Sequence, residues 1–350
     1  MMKKILLLIF LLFYITNVSA WTYSYTVMDA DSGRVLASEN NNEKMLIAST
    51  TKIMTAIIAL ENGNLNSMIE VGDEIKQAYG SMIYIKEGEI ITLEDLLYGL
   101  LLRSGNDAAI AIAKNTTGYD KFIELMNIKA KELKMYNSIF KNPHGLDEDT
   151  KNYSTSYDLA LLMRYAMKNS VFRKITSSRK YFTKTNLNTY KWYNKNDLLL
   201  TYKYSTGGKI GYTTSSKHVF VSSATKDNKN LIVVTIKDTD RFNTHKALYE
   251  KYFNKYEKYK ILDKYTFSLK DDNYKNCYLY IKNDFYMLLN DLEKEKVNLN
   301  VIISKNKKDT SKAGVVQVIF NNKIIHEETI YYTTKENKIS KLKKILLFWK

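Results

Sequence analysis

One predicted helix of this chain has no polar face, and it constrains the fold more than any other segment. Residues 53–60 are apolar apart from one threonine, and Gly63 follows as the predicted helix end. A helix that is apolar all round is stable only when other elements cover every face, so it lies at the centre of a layered domain. Ser49-Thr50-Thr51-Lys52 comes directly before it, so a hydroxyl and an amine stand at the start of a buried helix.

The segments around this helix alternate between strand-like and helix-like patterns. Residues 22–28 and 34–37 flank the turn sequence 29–33 and predict an opening hairpin. Residues 178–205 are polar and aromatic and match neither pattern. Further strands are predicted at 207–213, 219–223 and 231–236, and helices at 92–102, 108–114, 119–135, 156–168 and 240–253. Strands near both ends with helices between them indicate an α+β domain.

The pattern changes from about residue 259 onward. Short alternating runs separated by polar turns occur at 278–281, 297–303, 315–320 and 323–332. They predict a small β-rich C-terminal domain over residues 259–337, after a first domain over residues 21–258. No Gly/Ser-rich linker joins the two, so we expect them to pack against each other.

The N-terminus has the features of a secretory signal peptide over residues 1–20. Lys3 and Lys4 precede an apolar run at 5–14, and Val18-Ser19-Ala20 matches a small-x-small cleavage site. The apolar run is shorter than the about 20 residues that a transmembrane helix needs. We therefore expect an exported protein whose mature chain starts at Trp21, with an uncleaved anchor as the alternative.

Residues 338–350 have the pattern of a short basic amphipathic helix. Ile339, Leu342, Ile345 and Trp349 fall near one face, and lysines lie elsewhere. Such a helix can lie in a membrane interface, so we expect peripheral contact with the outer face of the cytoplasmic membrane. A packed terminal helix or a frayed tail is the alternative.

Charge and residue types limit the possible partners. The formal net charge is +16, and loss of Lys3 and Lys4 with the leader leaves +14. Anionic lipid head groups and anionic wall polymers suit an exported protein of this charge, whereas nucleic acid does not. The single cysteine, Cys277, excludes an intrachain disulfide and is predicted to be buried. The four histidines are far apart, so neither a metal site nor a cofactor is predicted.

Ser49 and Lys52 form the first of three short motifs that could carry chemistry. Positions three apart on a helix share a face, and a serine hydroxyl becomes a useful nucleophile when a base lies within hydrogen-bond reach. Burial lowers the pKa of a lysine because it disfavours the charged form. A buried Lys52 would therefore be neutral and could accept the Ser49 proton. Such a motif alone occurs often by chance, so its weight depends on the other two.

Two further motifs follow along the chain. Ser104-Gly105-Asn106 interrupts a leucine-rich helix, where its hydroxyl could relay a proton and its amide could hold a substrate backbone. Lys209-Ile210-Gly211 lies on a predicted strand, where a cation beside a glycine suits the carboxylate of a ligand that approaches the backbone. The structural alternatives are a loop between two helices for the first motif and a strand lysine at a β-turn for the second.

In this order and spacing, the three motifs resemble the S-x-x-K, S-D-N and K-T-G set of penicillin-binding proteins and serine β-lactamases. Over about residues 22–255 the chain is similar to the low-molecular-mass serine D-alanyl-D-alanine carboxypeptidase family, and the C-terminal part resembles that family more loosely. The similarity is carried by residues 48–55, 102–109, 142–146, 153–160 and 208–213. The resemblance implies a DD-peptidase/β-lactamase-like α+β fold: an antiparallel sheet with helices on both faces, plus a small β-rich C-terminal domain.

The resemblance also implies a reaction. Lys52 would act as general base for Ser49, which attacks the penultimate D-Ala of a peptidoglycan stem peptide and forms an acyl-enzyme that water hydrolyses. Ser104 and Asn106 complete the predicted catalytic group, and backbone N–H groups of Ser49 and Tyr212 would form the oxyanion hole. The predicted substrate-binding residues are Lys209, Ile210, Gly211, Tyr212 and Lys195. β-Lactams would acylate the same serine. The alternatives are a non-catalytic or weakly active wall-binding homologue and a serine β-lactamase.

Two positions depart from the family pattern. Ile210 stands where the family usually has threonine, whose hydroxyl would donate a hydrogen bond to the terminal carboxylate of the substrate. Loss of one such bond costs about 1.5–3 kcal/mol, which is roughly ten- to a hundredfold in rate. Lys195 stands where the family often has arginine, and a lysine lacks the bidentate fork. We therefore expect weak activity or a shifted specificity.

Overall fold

The structure, a computed structural model, describes residues 21–304 and 311–334. The predicted signal peptide at 1–20 and the predicted membrane anchor at 338–350 lie outside the described residues.

The described helices are α1 Lys52–Asn62, α2 Leu93–Tyr98, α3 Asn106–Thr116, α4 Tyr119–Glu132, α5 Ser156–Ala166, α6 Ser170–Ser177, α7 Leu198–Thr201, α8 Arg241–Lys255 and α9 Asp291–Lys294. The described strands are β1 Thr22–Asp29, β2 Val35–Glu39, β3 Met45–Leu46, β4 Met68–Glu70, β5 Ile90–Thr92, β6 Tyr153–Ser154, β7 Lys180–Lys184, β8 Thr189–Tyr193, β9 Ser205–Thr213, β10 Lys217–Lys226, β11 Lys229–Asp238, β12 Glu257–Leu262, β13 Cys277–Tyr280, β14 Phe285–Leu289, β15 Val297–Ile303, β16 Lys312–Phe320 and β17 Lys323–Thr334.

Five antiparallel strands form the central sheet, in the order β2-β1-β11-β10-β9. Side chains alternate between the faces of a sheet, so neighbouring residues of one strand enter different cores. Val219 and Val221 pack in the helical core on one face, whereas Phe220 packs against Phe242 of α8 on the other. Helices therefore cover both faces, and the α+β fold class is confirmed.

The helix that the sequence requires to be buried lies inside the larger core. Residues 52–59 of α1 are all buried, including the charged-type residue Lys52. Gly63 ends the helix, and its N–H donates to the carbonyl oxygen of Ala59 at 2.8 Å. The chain enters α1 through a 3-10 turn, Ala48–Thr51. This turn carries Ser49 and joins it directly to the buried helix.

Hydrogen bonds at Thr92 define the start of the helix after β5, and a left-handed residue, Ser104, defines its end. Thr92 accepts from the Asp95 N–H at 3.0 Å, and the Asp95 carboxylate accepts from the Thr92 N–H, which together cap α2. The helix continues into one π-helical turn, Gly99–Arg103. Ser104 then adopts a left-handed conformation with φ of 66°, and α3 begins two residues later. This conformation is uncommon for serine, so the surrounding contacts must hold the break in place.

Residues 178–205, which the sequence leaves unassigned, contain a β-hairpin. Strands β7 and β8 pair antiparallel, from Lys180 opposite Tyr193 to Lys184 opposite Thr189. On the inner face, Tyr181 stacks on Tyr98 with 3.6 Å between the ring centroids. These aromatic contacts fix the hairpin against α2, next to the π-helical turn.

The C-terminal region is built from strands, as predicted. Strands β13, β17, β16 and β15 form a four-stranded antiparallel sheet, and β12 pairs with β14. The hydrophobic core of this region is separate from the two cores of the central sheet. Arg34 of the central-sheet region donates to the Leu288 carbonyl oxygen at 2.8 Å and forms an ion pair with Glu293. The two regions therefore contact each other directly.

Three further findings bear on the sequence predictions. The sequence predicts a buried Cys277, and this prediction is wrong: the residue is only partly buried. Cys277 begins β13, an edge strand, so part of its side chain is left uncovered. Within residues 21–304 and 311–334, no three His, Cys, Asp or Glu side chains are grouped so as to hold a metal ion. No helix in these same ranges combines the length and apolarity of a membrane span.

Candidate active site

Ser49 lies where the turn before α1 meets β9, an edge strand of the central sheet. Ala48 before it has φ of 45°, an uncommon conformation for a residue with a side chain. Strand β9 passes so close that a side-chain carbon at Gly211 would lie 2.9 Å from the Ser49 backbone nitrogen. Glycine is therefore needed at this position for β9 to reach the Ser49 backbone. The Ser49 side chain is partly exposed and lines a cavity.

The amine of Lys52 is fully buried and has three polar neighbours. Its Nζ lies 2.9 Å from Ser49 Oγ, 2.7 Å from Asn106 Oδ1 and 2.6 Å from the His144 carbonyl oxygen. Burial holds the pKa of Lys52 well below its ordinary value, and the charge of Lys209 lowers this pKa further. The structure thus brings the hydroxyl and the amine of the first motif together.

The His144 carbonyl belongs to a rigid loop, residues 142–146, whose part in the site the sequence reasoning missed. Asn142 Oδ1 accepts from the Gly145 N–H at 2.6 Å, and Thr55 Oγ1 donates to the Pro143 carbonyl oxygen at 2.6 Å. Gly145 has φ of 90°, and a side-chain carbon there would lie 1.9 Å from the Ala48 carbonyl oxygen. The single proline signals a fixed turn, but only the tertiary fold shows that the turn touches Lys52.

The helix break at Ser104-Gly105-Asn106 directs two side chains toward the two buried lysines. Ser104 Oγ accepts from Lys209 Nζ at 3.0 Å. Asn106 is buried, with its Oδ1 next to Lys52 Nζ and its Nδ2 donating to the Tyr79 carbonyl oxygen at 2.6 Å. Both ends of the amide thus have protein partners, and the contact of the Asn106 amide with a substrate backbone stays a prediction. Asn106 therefore fixes the position of Lys52.

Lys209 on β9 is buried as deeply as Lys52. Its Nζ donates to Ser104 and also to the carbonyl oxygen of Ile210 at 2.8 Å. Burial, helped by the charge of Lys195, lowers the pKa of Lys209 to about 7. Ile210 beside it is half-buried against the core that lies under α8, and its side chain has no hydrogen-bond donor to offer.

These groups surround a cavity of about 220 Å³. It is lined by Ser49, Ser81, Ser104, Lys195, Ile210, Gly211, Tyr212, His218 and Arg241. The other predicted site residues, Lys52, Asn106 and Lys209, are buried behind this lining. A larger cavity of about 620 Å³ lies elsewhere, beside Trp21, so size alone does not locate the site. All nine predicted site residues thus belong to one cluster.

Arg241, together with Ser81 and His218, is a cavity residue that the sequence reasoning missed. Arg241 is the first residue of α8, and its Nη1 lies 3.2 Å from His218 Nδ1. Its Nε is buried and has no hydrogen-bond partner among the described residues. A buried donor without a partner is rare in folded proteins, so this Nε needs an acceptor such as a water molecule or a ligand group. One signal was available: arginines number only six of the 53 Lys and Arg residues.

Comparison with known proteins supports a single family. The family model for D-alanyl-D-alanine carboxypeptidases matches residues 16–240. A D-alanyl-D-alanine carboxypeptidase of Bacillus subtilis is 35% identical over 218 residues, which cover 60% of this chain and 56% of that protein. A D-alanyl-D-alanine carboxypeptidase of Mycobacterium tuberculosis is 35% identical over 211 residues, which cover 60% of this chain and 72% of that protein. The chain thus spans little more than half the length of the first relative.

Solved structures agree with the sequence comparison. A crystal structure of D-alanyl-D-alanine carboxypeptidase from Mycobacterium tuberculosis aligns with a TM-score of 0.64 and 31% identity, over 69% of this chain and 95% of that chain. Penicillin binding protein 5 from Haemophilus influenzae aligns with a TM-score of 0.74 over 91% of this chain and 98% of that chain. At 22% identity, this second likeness concerns the fold alone. Because the family model matches more than half of its residues, this chain belongs to the D-alanyl-D-alanine carboxypeptidase family.

Proposed function

We propose that this chain is a serine D-Ala-D-Ala carboxypeptidase that cleaves the terminal D-Ala-D-Ala bond of peptidoglycan stem peptides through an acyl-enzyme on Ser49. The observation that carries the proposal is the 2.9 Å contact between Ser49 Oγ and the buried amine of Lys52. The contact stands at the wall of a cavity that also presents Lys195 and Arg241. Family membership supplies the class of substrate.

The hydrogen-bond pattern around Lys52 supports its role as general base. A neutral amine has two N–H donors and one lone pair. The Asn106 amide oxygen and the His144 carbonyl oxygen can only accept, so they take both N–H groups. The lone pair then faces Ser49 Oγ, whose proton it can remove. Burial disfavours the charged ammonium and so keeps this lone pair available.

The proposed reaction has two halves. In acylation, the Ser49 proton moves to Lys52, and Ser49 Oγ bonds to the carbonyl carbon while the N–H groups of Ser49 and Tyr212 stabilise the oxyanion. The C–N bond then breaks, and Lys209 supplies a proton through the Ser104 hydroxyl to the departing D-Ala amine. In deacylation, water attacks the ester and passes its proton back through Ser104 to Lys209. Lys52 then returns its proton to Ser49 as the ester bond breaks.

The terminal carboxylate of the substrate needs cationic partners, because the side chain of Ile210 cannot donate a hydrogen bond to it. Arg241 suits this role, since it lines the cavity and its Nε has no hydrogen-bond partner in the part of the chain that the structure describes. A guanidinium forms paired hydrogen bonds with a carboxylate, which a lysine cannot do. We therefore place the carboxylate between Arg241 and Lys209, with Lys195 nearby.

Release of D-Ala from a pentapeptide stem mimic tests the proposal. We expect release by the mature chain and none by Ser49→Ala, and we expect a fluorescent penicillin to label the first protein only. Ser177→Ala, which changes an exposed serine outside the cavity, is the matched control and should behave like the unaltered chain. Labelling that persists in Ser49→Ala would show that another residue is the nucleophile.

The two alternatives give different results in the same assays. A weakly active wall-binding homologue, which Ile210 favours, would take up penicillin but release little D-Ala from the peptide. A serine β-lactamase would hydrolyse the penicillin rapidly, and the label on Ser49 would be short-lived. Stable labelling with substantial D-Ala release excludes both.

We further propose that the protein works outside the cytoplasm, attached to the outer face of the cytoplasmic membrane. The leader pattern at 1–20 supports export, and the amphipathic pattern at 338–350 supports attachment. Deletion of residues 338–350 should release the mature protein from membranes and leave D-Ala release unchanged. Full-length mature protein that is already soluble at low salt would exclude the anchor.

A further inference from the structure

The outward side of the β7–β8 hairpin carries side chains that the proposed chemistry does not use. The strand register places Lys180 opposite Tyr193, Phe182 opposite Lys191 and Lys184 opposite Thr189. These six residues are all exposed on one side of the hairpin, and we call this surface the hairpin face. Its residues come from the segment whose sequence shows no clear pattern.

The hairpin does not need this face for its own stability, because its inner side and its tip are anchored. Tyr190 donates to Glu89 at 2.9 Å, and Tyr181 donates to Asp95 at 2.8 Å. Trp192 is buried. At the tip, Asn186 accepts from the Ile90 N–H at 2.8 Å. The exposed aromatic rings on the other side therefore require a different explanation.

The hairpin face combines aromatic rings with cations. Phe182 and Tyr193 lie edge to face with 6.3 Å between their centroids, and about half of each side chain is exposed. The Lys180 ammonium lies 5.5 Å from the Phe182 ring centroid. Residues 179–193 contain four cations and no Asp or Glu. Such a surface suits a partner with flat apolar faces and negative charges.

The hairpin face adjoins the mouth of the cavity. Arg103, next to Ser104, donates from Nη1 to the Tyr193 carbonyl oxygen at 3.2 Å. Two residues after Tyr193, Lys195 lines the cavity, and its N–H donates to the Leu102 carbonyl oxygen at 3.1 Å. A substrate with its reactive end in the cavity can therefore extend onto the hairpin face.

We propose that the hairpin face binds the glycan strand to which the stem peptide is attached. Sugar rings have flat C–H faces that pack on Phe182 and Tyr193, and carboxylates of neighbouring stem peptides pair with the three lysines of the face. The inference rests on the proposed function, because it takes the stem peptide as the group in the cavity. A second contact on the same molecule raises the affinity for polymer without changing the chemistry at Ser49.

The experiment compares two substrates that share the cleaved bond: a soluble pentapeptide mimic and insoluble sacculi with pentapeptide stems. Phe182→Ser/Lys191→Gln removes one cross-strand pair of the face. We expect D-Ala release from sacculi to fall roughly tenfold and release from the soluble peptide to stay unchanged. Lys264→Gln/Tyr265→Ser removes another cation–aromatic pair, a partly buried lysine and an exposed tyrosine in the C-terminal region, with 5.0 Å between the ammonium and the ring centroid. This control should affect neither substrate.

Each other outcome overturns the proposal. Undiminished release from sacculi means that the face does not bind the polymer. Equal loss on both substrates means that the hairpin supports the Ser104 turn instead. Loss of binding to anionic phospholipid vesicles, with release from sacculi intact, assigns the face to the membrane.

Three additions keep the test decisive. Penicillin labelling verifies that each variant is folded. If the first variant fails to fold, Lys180→Gln/Lys184→Gln replaces it, because this second variant changes only exposed lysines. If the unaltered chain releases no D-Ala from the soluble peptide, the proposed function fails. Sedimentation of the Ser49→Ala chain with sacculi, with and without the hairpin changes, then still measures binding by the hairpin face.

Discussion

Lys209 Nζ lies 3.0 Å from Ser104 Oγ, although the two residues are 105 positions apart in the chain. Both residues are buried, so the lysine charge is poorly hydrated and its pKa is lowered to about 7. The pKa of Lys52, behind the same cavity, is held well below its ordinary value by burial. Two lysines with different environments can thus have different tasks, one as a neutral base and one as a cation near neutral pH.

The first prediction is that kcat/KM for a substrate with a free carboxylate falls as the pH rises above about 7. Lys209 is charged below its pKa of about 7 and neutral above it, so its attraction for a carboxylate is lost in this direction. The pH profile of kcat/KM reports groups of the free enzyme. Lys52 acts as a base and can only become more neutral as the pH rises, so its titration, which burial shifts to lower pH, cannot cause an alkaline fall.

A substrate with an esterified C-terminus provides the control for this first prediction. It has no carboxylate, so neutral Lys209 deprives it only of the proton that is relayed through Ser104 to the departing amine. Its kcat should fall above about pH 7 while its KM stays constant, whereas the KM of the free-carboxylate substrate should rise. A flat profile for the free-carboxylate substrate, measured over the same range, would contradict the role of Lys209.

The second prediction is that Lys52→Arg slows penicillin labelling about 10²–10⁴-fold, the usual contribution of a general base. Arginine stays charged even when buried, so it cannot accept the Ser49 proton. The control is Lys229→Arg, which changes another buried lysine whose partners are the Phe253 carbonyl and Glu257. Penicillin labelling that is stopped at successive times measures the rate for each of the two variants. Unaltered labelling of Lys52→Arg would mean that another group takes the proton.

The sequence predicts the elements that local patterns encode. The all-apolar helix, the helix predicted from residue 92 and the three motifs follow from residue types at short spacing, and the structure places the motif side chains together. The resemblance to a family supplies the antiparallel sheet with helices on both faces, which spacing alone does not, and the order of its strands comes from the structure alone. The protein partners of Asn106, by contrast, do not follow from the sequence, because an amide can bond in several directions and sequence does not choose among them.

Long-range contacts account for what sequence reasoning missed. Arg241 starts α8 and reaches the cavity only because β10 and β11 bring that helix end beside β9. The hairpin at 180–193 has rings on both sides, so its alternation does not resemble a half-buried strand. In a chain with few arginines, each arginine was nonetheless a clue: Arg34 makes paired contacts with Glu293, and the proposed carboxylate site includes Arg241.

The third prediction concerns Ile210, and compares Ile210→Thr with Ile210→Val. Threonine and valine have nearly the same shape, so both lose the same packing against the core under α8. Only threonine adds a donor for the terminal carboxylate, and we expect it to raise kcat/KM for D-Ala release about ten- to a hundredfold relative to valine. Equal rates for the two variants would show that Arg241 and Lys209 already satisfy the carboxylate.

The fourth prediction separates backbone strain from a clash, by means of Gly145→Ala and Gly118→Ala. The two glycines have similar φ values, 90° and 85°, so an alanine should cost about 1–3 kcal/mol of folding free energy at either position. At Gly118 an added methyl group meets nothing within 4 Å, whereas at Gly145 it would lie 1.9 Å from the Ala48 carbonyl oxygen. The Gly145 variant must therefore shift the loop that holds His144 against Lys52, and we expect penicillin labelling to slow at least about tenfold, since displacing a positioned catalytic group by about 1 Å can cost 10²-fold.

Denaturant unfolding measures the loss of stability that the two variants share, and labelling rates measure the difference between them. If both variants label at the rate of the unaltered chain, the contact between the His144 carbonyl and Lys52 does not position the base.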